Sequence, residues 1–553
     1  MQVLEKYFDT AFDAPDGIKK LRELILTLAM QGKLVPQDTN DQPASELLKE
    51  IEKEKEKLVK DGKIKKSKPL GAVQPNEIPF EVPSTWEWIY LNELVSLLGD
   101  GLHGTPQYDD YGDYFFINGN NLNDGRIQIK ENTKRVSTTE YEKYKKNLDD
   151  RTVLVSINGT LGNVAFFNNE NVVLGKSACY FNLFSSIEKT YIKALINSKY
   201  FLEYANTQAT GSTIKNVSLK SMRELKIPLP PVNEQKRIVE KINQLMALCD
   251  ELEKLKEQKE AKKLTVHKSA INQLLDSKDD SNSQNGWRFI SNHFNDLYTV
   301  KKNVLELRSA ILQLVMQGKL VPQDPNDQPA SELLKEIEKE KKANKVKSLE
   351  PIKLESIPYD LPNGWQWVYL NDFGIWKSGS TPSRTNSAYY GGDIPWVKSG
   401  EVKQGLIKNT EETITQKALD ECSLGLNPVG SVLVAMYGAN IGEVGILEVE
   451  ATTNQAICAC QTFSKINNQF LKFLIDSLKG YFISQGAGAA QPNISRVKII
   501  NSIVPLPPFN EQQRIVEKIN QLMALCDDLE KQIENSSSKQ TELLNAIMSN
   551  LGK

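Results

Sequence analysis

Apolar residues near the start of the chain recur with helical spacing, and the same arrangement returns in the second half. The spacing predicts an amphipathic helix over residues 18–34, with Gly32 and Pro36 at its end, and a counterpart over residues 304–320. A strongly charged helix with a narrow apolar stripe is predicted over residues 45–60. The apolar positions of the first helix are Leu21, Leu24, Ile25, Leu28 and Leu34.

Two long segments, residues 233–275 and 510–551, carry apolar residues at alternating spacings of four and three. This period of 3.5 residues is typical of a coiled-coil seam, so we expect two long antiparallel helices that pack on each other. The alternative is that each helix docks on its own globular neighbour. Lys256 stands where the second copy has Ile533, so the pairing need not be symmetric. The seam residues are Ile238, Ile242, Leu245, Cys249 and Leu252 in the first copy and Ile515, Ile519, Leu522, Cys526 and Leu529 in the second.

The regions between the helices, residues 71–232 and 349–509, have a different pattern. Short apolar runs such as residues 114–117 and 152–157 are separated by Gly and Asn clusters, which predicts strands and loops. Both regions begin with W-x-W and end in PLPP. The predicted fold class is α+β, with two similar globular domains joined by long helices, an internal duplication and pseudo-two-fold symmetry. A polar stretch, residues 277–285, is predicted as a loop between the copies.

Blocks within the helical regions are nearly identical between the two halves, whereas the globular regions have diverged. Residues 30–55 return as residues 316–341 with one difference, and residues 233–250 return as residues 510–527, again with one difference. Two nearly identical surfaces most simply bind the same partner twice, and two diverged globular regions most simply recognise two different targets. The predicted regions are 1–70 (N-terminal helical region), 71–232 (first globular domain), 233–348 (central helical region), 349–509 (second globular domain) and 510–553 (C-terminal helix).

Composition and charge narrow the class of protein. Among the 553 residues no apolar run is long enough to cross a bilayer, and no signal-peptide pattern is found, so we expect a cytoplasmic protein. Six cysteines do not form a disulfide framework, and three histidines leave too few ligands for us to expect a metal site. A net charge of −2 is unusual for a nucleic-acid binder that acts alone, so cations would have to gather on one face or a partner would have to supply them.

Short motifs with catalytic associations fail on their context. Residues 99–104 match G-x-G-x-x-G, but no suitable helix is predicted after them, so we expect a flexible loop. Residues 175–177 (Gly-Lys-Ser) end like a P-loop, but Glu170 occupies the position of its first glycine. The two PLPP sequences lack the Asn or Asp that an amino-methyltransferase motif would place before Pro-Pro. Since no catalytic set remains, the chain is predicted not to be an enzyme by itself.

Polar residues cluster in the loops of both globular regions, which favours binding chemistry. Amides can bond adenine at two atoms, Arg can read guanine, and hydroxyl groups can hold phosphates. Because Asn and Gly are also common in turns, the cluster as a whole carries the prediction rather than any single residue. The candidate DNA-binding residues are Thr105, Asn118, Asn120, Asn121, Asn158, Thr160, Asn163, Thr210, Ser212, Thr213, Lys215, Asn216, Lys377, Ser378, Ser380, Thr381, Arg384, Tyr389, Tyr390, Trp396, Lys398, Tyr437, Asn440, Gln491, Asn493 and Arg496.

The duplicated plan and its motifs resemble the DNA-specificity subunits of type I restriction–modification systems. The motifs are the W-x-W entry, the T-P loop, PLPP-x-N-E-Q-x-R-I-V-E-K-I and L-x-x-x-M-Q-G-K-L-V-P-Q, and together they extend over essentially the whole chain.

This resemblance implies that each globular domain is a target-recognition domain for one half of a split, asymmetric sequence in double-stranded DNA. The paired helices would set the spacing of the halves and dock two methyltransferase subunits, and restriction subunits would complete the nuclease. S-adenosylmethionine, ATP and Mg²⁺ would then belong to the partner subunits, with no cofactor bound by this chain. A protein–protein scaffold with two binding domains is the alternative function.

Overall fold

The computed structural model divides the chain into two compact units. The first comprises residues 1–258 and 536–553, and the second comprises residues 259–535. Both boundaries fall inside the long helices. None of the described helices is long and apolar enough to cross a membrane. The described residues are 13–66, 69–211, 213–276, 280–486 and 492–551.

The first unit joins helices to a globule of short strands. Its helices are α1 (Gly17–Met30), α2 (Ala44–Lys60), α3 (Thr138–Tyr144), α4 (Lys189–Ile196), α5 (Lys199–Gln208), α6 (Leu219–Arg223) and the first part of α7 (Val232–Asp276). Its strands are β1 (Glu87–Tyr90), β2 (Val95–Asp100), β3 (Tyr114–Ile117), β4 (Leu122–Asn123), β5 (Arg126–Ile127), β6 (Arg135–Val136), β7 (Thr152–Ser156), β8 (Val164–Phe166), β9 (Val172–Leu174), β10 (Ala178–Leu183) and β11 (Lys226–Leu229).

Two main sheets form the first globule. One runs in the order β2-β10-β7-β8 and the other in the order β6-β3-β9. Strands β7 and β10 are buried along their whole length because they are the inner strands of the first sheet. The antiparallel pair β1–β11 sets Trp88 opposite Pro228, so the W-x-W and PLPP ends of the region meet.

The second unit contains a similar but not identical succession of helices and strands. Its helices are α8 (Asp280–Asn292), α9 (Phe294–Leu297), α10 (Lys301–Met316), α11 (Ala330–Ala343), α12 (Gln416–Glu421), α13 (Asn468–Gly486), α14 (Arg496–Ile500) and the first part of α15 (Phe509–Leu551). Its strands are β12 (Gln366–Tyr369), β13 (Gly374–Ser378), β14 (Tyr390–Val397), β15 (Leu406–Ile407), β16 (Glu412–Ile414), β17 (Val432–Ala435), β18 (Val444–Leu447), β19 (Thr452–Thr453), β20 (Ile457–Thr462) and β21 (Ile503–Leu506).

The sheets of the second unit correspond to those of the first, with β15 as an additional fifth strand in the larger sheet. One runs β13-β20-β17-β18-β15 and the other β16-β14-β19, and the pair β12–β21 sets Trp367 opposite Pro505. The central strand of each smaller sheet pairs one neighbour antiparallel and the other parallel, as β3 does with β6 and β9. The predicted α+β fold with an internal duplication is confirmed.

The predicted helices are all present. Helix α2 begins and ends within one residue of its expected limits, whereas α1 and α10 each end four residues before theirs. Helix α1 stops at Met30, where Gly32 adopts a left-handed φ of +67° that suits a helix C-terminus. The prediction of a flexible loop at residues 99–104 is wrong at its start, because Gly99 lies in β2. Gly101 is held against β9, since a Cβ atom there would lie 2.2 Å from the Leu174 carbonyl oxygen.

The seam residues of the long helices lie mostly in the core of their own unit. Ile238, Ile242 and Cys249 are buried in one apolar cluster with Ile25 of α1, whereas Leu252 is exposed. These side chains therefore follow the alternative of docking within the unit, and pairing of the two long helices stays a prediction. The seam residues packed in or against the core of the second unit are Ile515, Ile519, Leu522, Cys526 and Leu529.

Each long helix ends in the unit other than the one in which it begins. The last turns of α15 place Leu544 and Ile547 against Ala14 in the first unit. The last turns of α7 bury Ala270 and Ile271 in the core of the second unit. Both long helices are therefore continuous connections between the units.

The polar stretch between the copies is not the loop that its composition predicts. Residues 277–279 lie outside the described residues, and residues 280–285 form the first turns of α8. Gly286 lets α8 approach α7 closely, since a Cβ atom there would lie 3.0 Å from the Ala270 carbonyl oxygen. Burial of Ile290 in the same core gives the helix an apolar anchor that the polar sequence does not reveal.

The near-identical blocks of the first unit contact each other. Near the start of α7, Glu234 accepts hydrogen bonds from Trp86 Nε1 (3.0 Å) and Gln37 Nε2 (2.5 Å). One turn later, Arg237 forms an ion pair with Asp41. These contacts join the first block, the entry to β1 and the long helix. Part of the near-identity between the copies is therefore explained by internal packing.

The second unit repeats this arrangement around Glu511. Its carboxylate accepts hydrogen bonds from Trp365 Nε1 (3.0 Å) and Gln323 Nε2 (3.1 Å). Burial raises the pKa of the Glu511 carboxyl and that of Glu234, because the charged form loses contact with water. The two hydrogen bonds offset part of this cost in each unit.

We expect the substitution Glu234→Ala to lower the free energy of unfolding by about 1–3 kcal/mol, because it leaves the buried Trp86 indole N–H without its acceptor. Chemical denaturation of the full chain measures the change. Glu240→Ala is the matched control, since Glu240 is exposed on the same helix, and should change stability by less than about 0.5 kcal/mol. Equal losses for the two variants would contradict the structural role of Glu234.

Candidate nucleic-acid interface

Several loops of the first globule meet at one edge, where strands β2, β3, β7 and β9 end. The Leu102 amide donates to the Leu174 carbonyl (2.7 Å), and the Gly119 amide donates to the Ser177 hydroxyl (2.8 Å). The loops that follow β2, β3 and β9 are thus held together by hydrogen bonds. The first loop edge comprises residues 101–105, 118–121, 157–163, 175–177 and 209–216, of which Ser212 lies outside the described residues.

Polar side chains of the first loop edge bond to one another. Asn158 Nδ2 donates to Asn216 Oδ1 (3.0 Å), and Ser177 Oγ donates to Asn118 Oδ1 (2.9 Å). Asn163 Nδ2 donates to a backbone carbonyl of the same edge (3.2 Å). These half-buried amides support the loops and leave other candidates in solvent. The exposed candidates are Thr105, Asn120, Thr160, Thr210, Thr213 and Lys215.

Asn121 is a correction to the sequence-based candidates. Its side chain is buried, donates to the Gln128 carbonyl (3.0 Å) and to Thr133 Oγ1 (3.3 Å), and accepts from the Asn118 amide (3.0 Å). A side chain whose hydrogen bonds are used inside the protein cannot reach a base edge. The Asn cluster therefore contains one residue that shapes the loop and others that face solvent.

The second globule has a corresponding edge. The Ser380 amide donates to the Thr453 carbonyl (3.0 Å), and the Gly438 amide donates to the Pro492 carbonyl (2.8 Å). Tyr437 and Asn493 form an isolated bridge between two of the loops. The second loop edge comprises residues 378–381, 397–400, 437–440, 454–456 and 492–495.

Most candidates of the second globule lie on or beside this edge, and Trp396 and Gln491 are the exceptions. Trp396 is buried and donates to the Ser380 carbonyl (3.2 Å), so its proposed contact with DNA is wrong and its role is in the core. Gln491 lies outside the described residues. The exposed candidates are Lys377, Ser378, Thr381, Arg384, Tyr437, Asn493 and Arg496, and the half-buried ones are Ser380, Tyr389, Tyr390, Lys398 and Asn440.

Two of the cations on or beside the second loop edge are paired with carboxylates. Arg384 bonds Glu412 through both terminal nitrogens (2.6 and 3.3 Å), and Lys398 bonds Glu411 (2.6 Å) and Glu412 (3.1 Å). The hydrogen bonds that Arg384 and Lys398 donate to these carboxylates raise the pKa of both side chains, so both are fully charged. The charges of these two side chains are balanced locally, whereas Lys377 is exposed and Arg496 donates to the Trp376 carbonyl (3.1 Å). Lys377 and Arg496 are therefore the cations available to attract phosphate.

Two exposed side chains of the loop edges were not among the sequence-based candidates. Lys176 lies directly after β9, and Gln455 follows β19 at the corresponding place. Sequence reasoning considered Lys176 only as the end of a failed P-loop. The available signal was its position directly after a buried apolar run, where loops of a sheet edge begin.

The described residues offer little for metal chemistry. Within ranges 13–66, 69–211, 213–276, 280–486 and 492–551, no three His, Cys, Asp or Glu side chains come together as metal ligands.

Comparison with known proteins identifies relatives over most of the chain. A model of the type I restriction modification DNA specificity domain matches residues 83–263 and 362–536, which contain the two globules and the start of each long helix. The Escherichia coli type I restriction enzyme EcoAI specificity subunit is 32% identical over 590 aligned residues, covering 96% of this chain and 93% of that protein. The EcoEI specificity subunit of the same species is also 32% identical, with the same coverage.

One similar solved structure is described as showing the structural basis of complex assembly and conformational transition of the type I R-M system. The two chains are 17% identical with a TM-score of 0.48, covering 86% of this chain and 99% of that one.

Proposed function

Because this chain belongs to the family of type I restriction–modification DNA specificity subunits, we propose that it reads a bipartite, asymmetric site in double-stranded DNA. Each loop edge enters the major groove at one half-site. The observation that carries the proposal is the pair of loop edges, which share one backbone frame and differ in their side chains. Two equal frames with unlike side chains suit two unlike half-sites.

Recognition at each half-site is a matter of polar contacts to base edges. The first loop edge presents Asn120, Thr160 and Lys215, and the second presents Ser378, Thr381 and Asn493. A mismatched base pair typically costs about 1–3 kcal/mol. Several mismatches in either half are then enough to reject a site.

The long helices act as the ruler that sets the spacer between half-sites. The 45 residues of α7 and the 43 residues of α15 each run without a break from one unit into the other. At about 1.5 Å per residue, either helix is roughly 65 Å long. A continuous helix transmits a fixed length, which supports its use as a spacer.

Two methyltransferase subunits dock on the near-identical faces of the long helices, and restriction subunits join the full complex. Leu248 and Leu525 occupy equivalent positions and are both exposed, at 54% and 60%. Exposed leucines that return in both copies suit a partner that binds twice. S-adenosylmethionine, ATP and Mg²⁺ would act on those partners in the cytoplasm, with no cofactor on this chain.

We expect the double variant Leu248→Asp with Leu525→Asp to lose both methyltransferase subunits, because a charge in an apolar contact resists desolvation. Each single variant should retain one. Size-exclusion chromatography with light scattering measures the stoichiometry. Leu255→Asp is the matched control, since Leu255 is exposed on α7 but Gln532 takes its place in α15. Loss of binding in the control would contradict a duplicated docking face.

Binding assays with the methyltransferase partner test the function as a whole. We expect sequence-specific binding of DNA by the complex, followed by adenine methylation at one bipartite sequence. A complex that forms without any sequence preference would instead support the protein–protein scaffold.

A further inference from the structure

Two tight turns occupy equivalent places on the loop edges. In the first, the Ala178 amide donates to the Gly175 carbonyl (3.0 Å), and Lys176 is the second residue of the turn. In the second, the Ile457 amide donates to the Asn454 carbonyl (3.1 Å), and Gln455 is the second residue. Each turn leads from the smaller sheet of its globule into the larger one.

Neighbouring loops hold both turns by matching hydrogen bonds. On the near side, the Gly175 amide donates to the Ile117 carbonyl (2.8 Å) and the Asn454 amide to the Val397 carbonyl (3.0 Å). A turn fixed in this way holds its second residue in a defined place. Such pre-organisation favours a specific contact, because the backbone of the turn loses little conformational entropy when a partner binds.

The far side of each turn is anchored in the same manner. The Ile157 amide donates to the Ser177 carbonyl (3.0 Å), and the Met436 amide donates to the Ala456 carbonyl (2.8 Å). The loops that donate these two hydrogen bonds also carry candidates for DNA contact, in both globules. The two turns are therefore the junctions of their loop edges.

The side chains at the two positions are exposed and available. Within the described part of the chain, no hydrogen bond or ion pair holds the side chain of Lys176 or Gln455. By contrast, Lys215 bonds Asn206 and Lys398 bonds two carboxylates. A free donor at the junction of the loops is well placed for an incoming base pair.

We propose that Lys176 reads a guanine in the first half-site and that Gln455 reads an adenine in the second. The inference rests on the proposed function and assigns two specificity-determining residues to it. A Lys ammonium group donates to O6 and N7 of guanine, and a Gln amide bonds N6 and N7 of adenine. Both base edges lie in the major groove.

A phosphate contact does not explain both positions. Phosphate binding favours a cation wherever the backbone passes, yet one frame carries Lys176 and the other carries the uncharged Gln455. A change from ammonium to amide on an unchanged backbone is the change that a different base requires.

The test uses the complex reconstituted with its methyltransferase subunits and a DNA library in which every position of both half-sites is varied. Sequencing of methylated products gives the base preference at each position. We expect Lys176→Ala to reduce the preference at one guanine of the first half-site by roughly 10- to 100-fold, with the second half-site unchanged. Gln455→Ala should do the same at one adenine of the second half-site. Lys176→Gln should shift the affected position toward adenine.

Lys199→Ala is the control, because Lys199 is exposed at the start of α5 and pairs with Glu203. The neighbouring Tyr200 hydroxyl donates to strand β11. The Lys199→Ala variant should leave every preference unchanged. A Lys176→Ala complex that methylates all sites more weakly with unaltered preferences has lost a phosphate contact, which would overturn the assignment. Unchanged methylation would overturn it too. A wild-type complex that shows no bipartite sequence preference would contradict the proposed function itself, independently of either variant.

Discussion

Replacing residues 87–229 by residues 366–506 is expected to give a protein that directs methylation to a site containing the second half-site twice. The junctions lie at matching strand pairs, β1–β11 and β12–β21, so Trp86 and Glu234 stay in place. The transplanted globule also finds its usual contact, because Glu54 bonds the Ser185 amide as Glu340 bonds that of Ser464.

The expected effect on recognition is large because a whole half-site changes. Three mismatches at about 1 kcal/mol each already lower affinity by roughly 150-fold. Methylome sequencing of cells that carry the chimera with the methyltransferase measures the new site. The reciprocal chimera, with residues 366–506 replaced by residues 87–229, is the control and should duplicate the first half-site. Retention of the original asymmetric site by either chimera would refute the assignment of the globules as readers.

A paired insertion in the long helices is expected to change the spacer and leave both half-sites intact. Seven added residues lengthen a helix by about 10.5 Å and return it to nearly the same face. At a rise of about 3.4 Å per base pair, the spacer should grow by roughly three base pairs. The insertions belong after Gln258 and Asn535, the equivalent positions at which the two units divide. Methylome sequencing measures the spacer directly.

Insertion at only one of these positions is the control. Because α7 and α15 both connect the units, a single insertion gives them unequal lengths and should reduce methylation without defining a new spacer. An insertion directly after Asp250 is less suitable, since Arg22 bonds both Asp250 (2.6 Å) and Glu253 (2.9 Å). A paired variant with the original spacer would contradict the ruler.

Local patterns predicted the secondary structure well, and they failed where a side chain's surroundings mattered. The apolar repeat of residues 233–275 predicted a helix, and α7 extends over Val232–Asp276. The same repeat did not predict that Ile238 and Cys249 would pack on α1. A period states which face of a helix is apolar, but any apolar surface can cover that face.

Candidate DNA contacts show the same division. Residue type alone placed Asn121 and Trp396 among the readers, yet both are buried with their polar atoms bonded inside the protein. The incomplete P-loop motif around Lys176 does not predict a binding role, although the fold places this side chain in solvent where several loops meet. Loops distant in sequence meet only when the sheets have formed.

The sequence by itself determined the duplication, the order of helices and globules, and the family, because these depend on repeats and periods that are local to the chain. Only the tertiary structure decided which unit each helix end joins, which polar residues face solvent and why the repeated blocks stay alike. The physical reason is that burial and hydrogen bonding depend on contacts between distant segments. Glu234 and Trp86, 148 positions apart, have no local pattern that foretells their meeting.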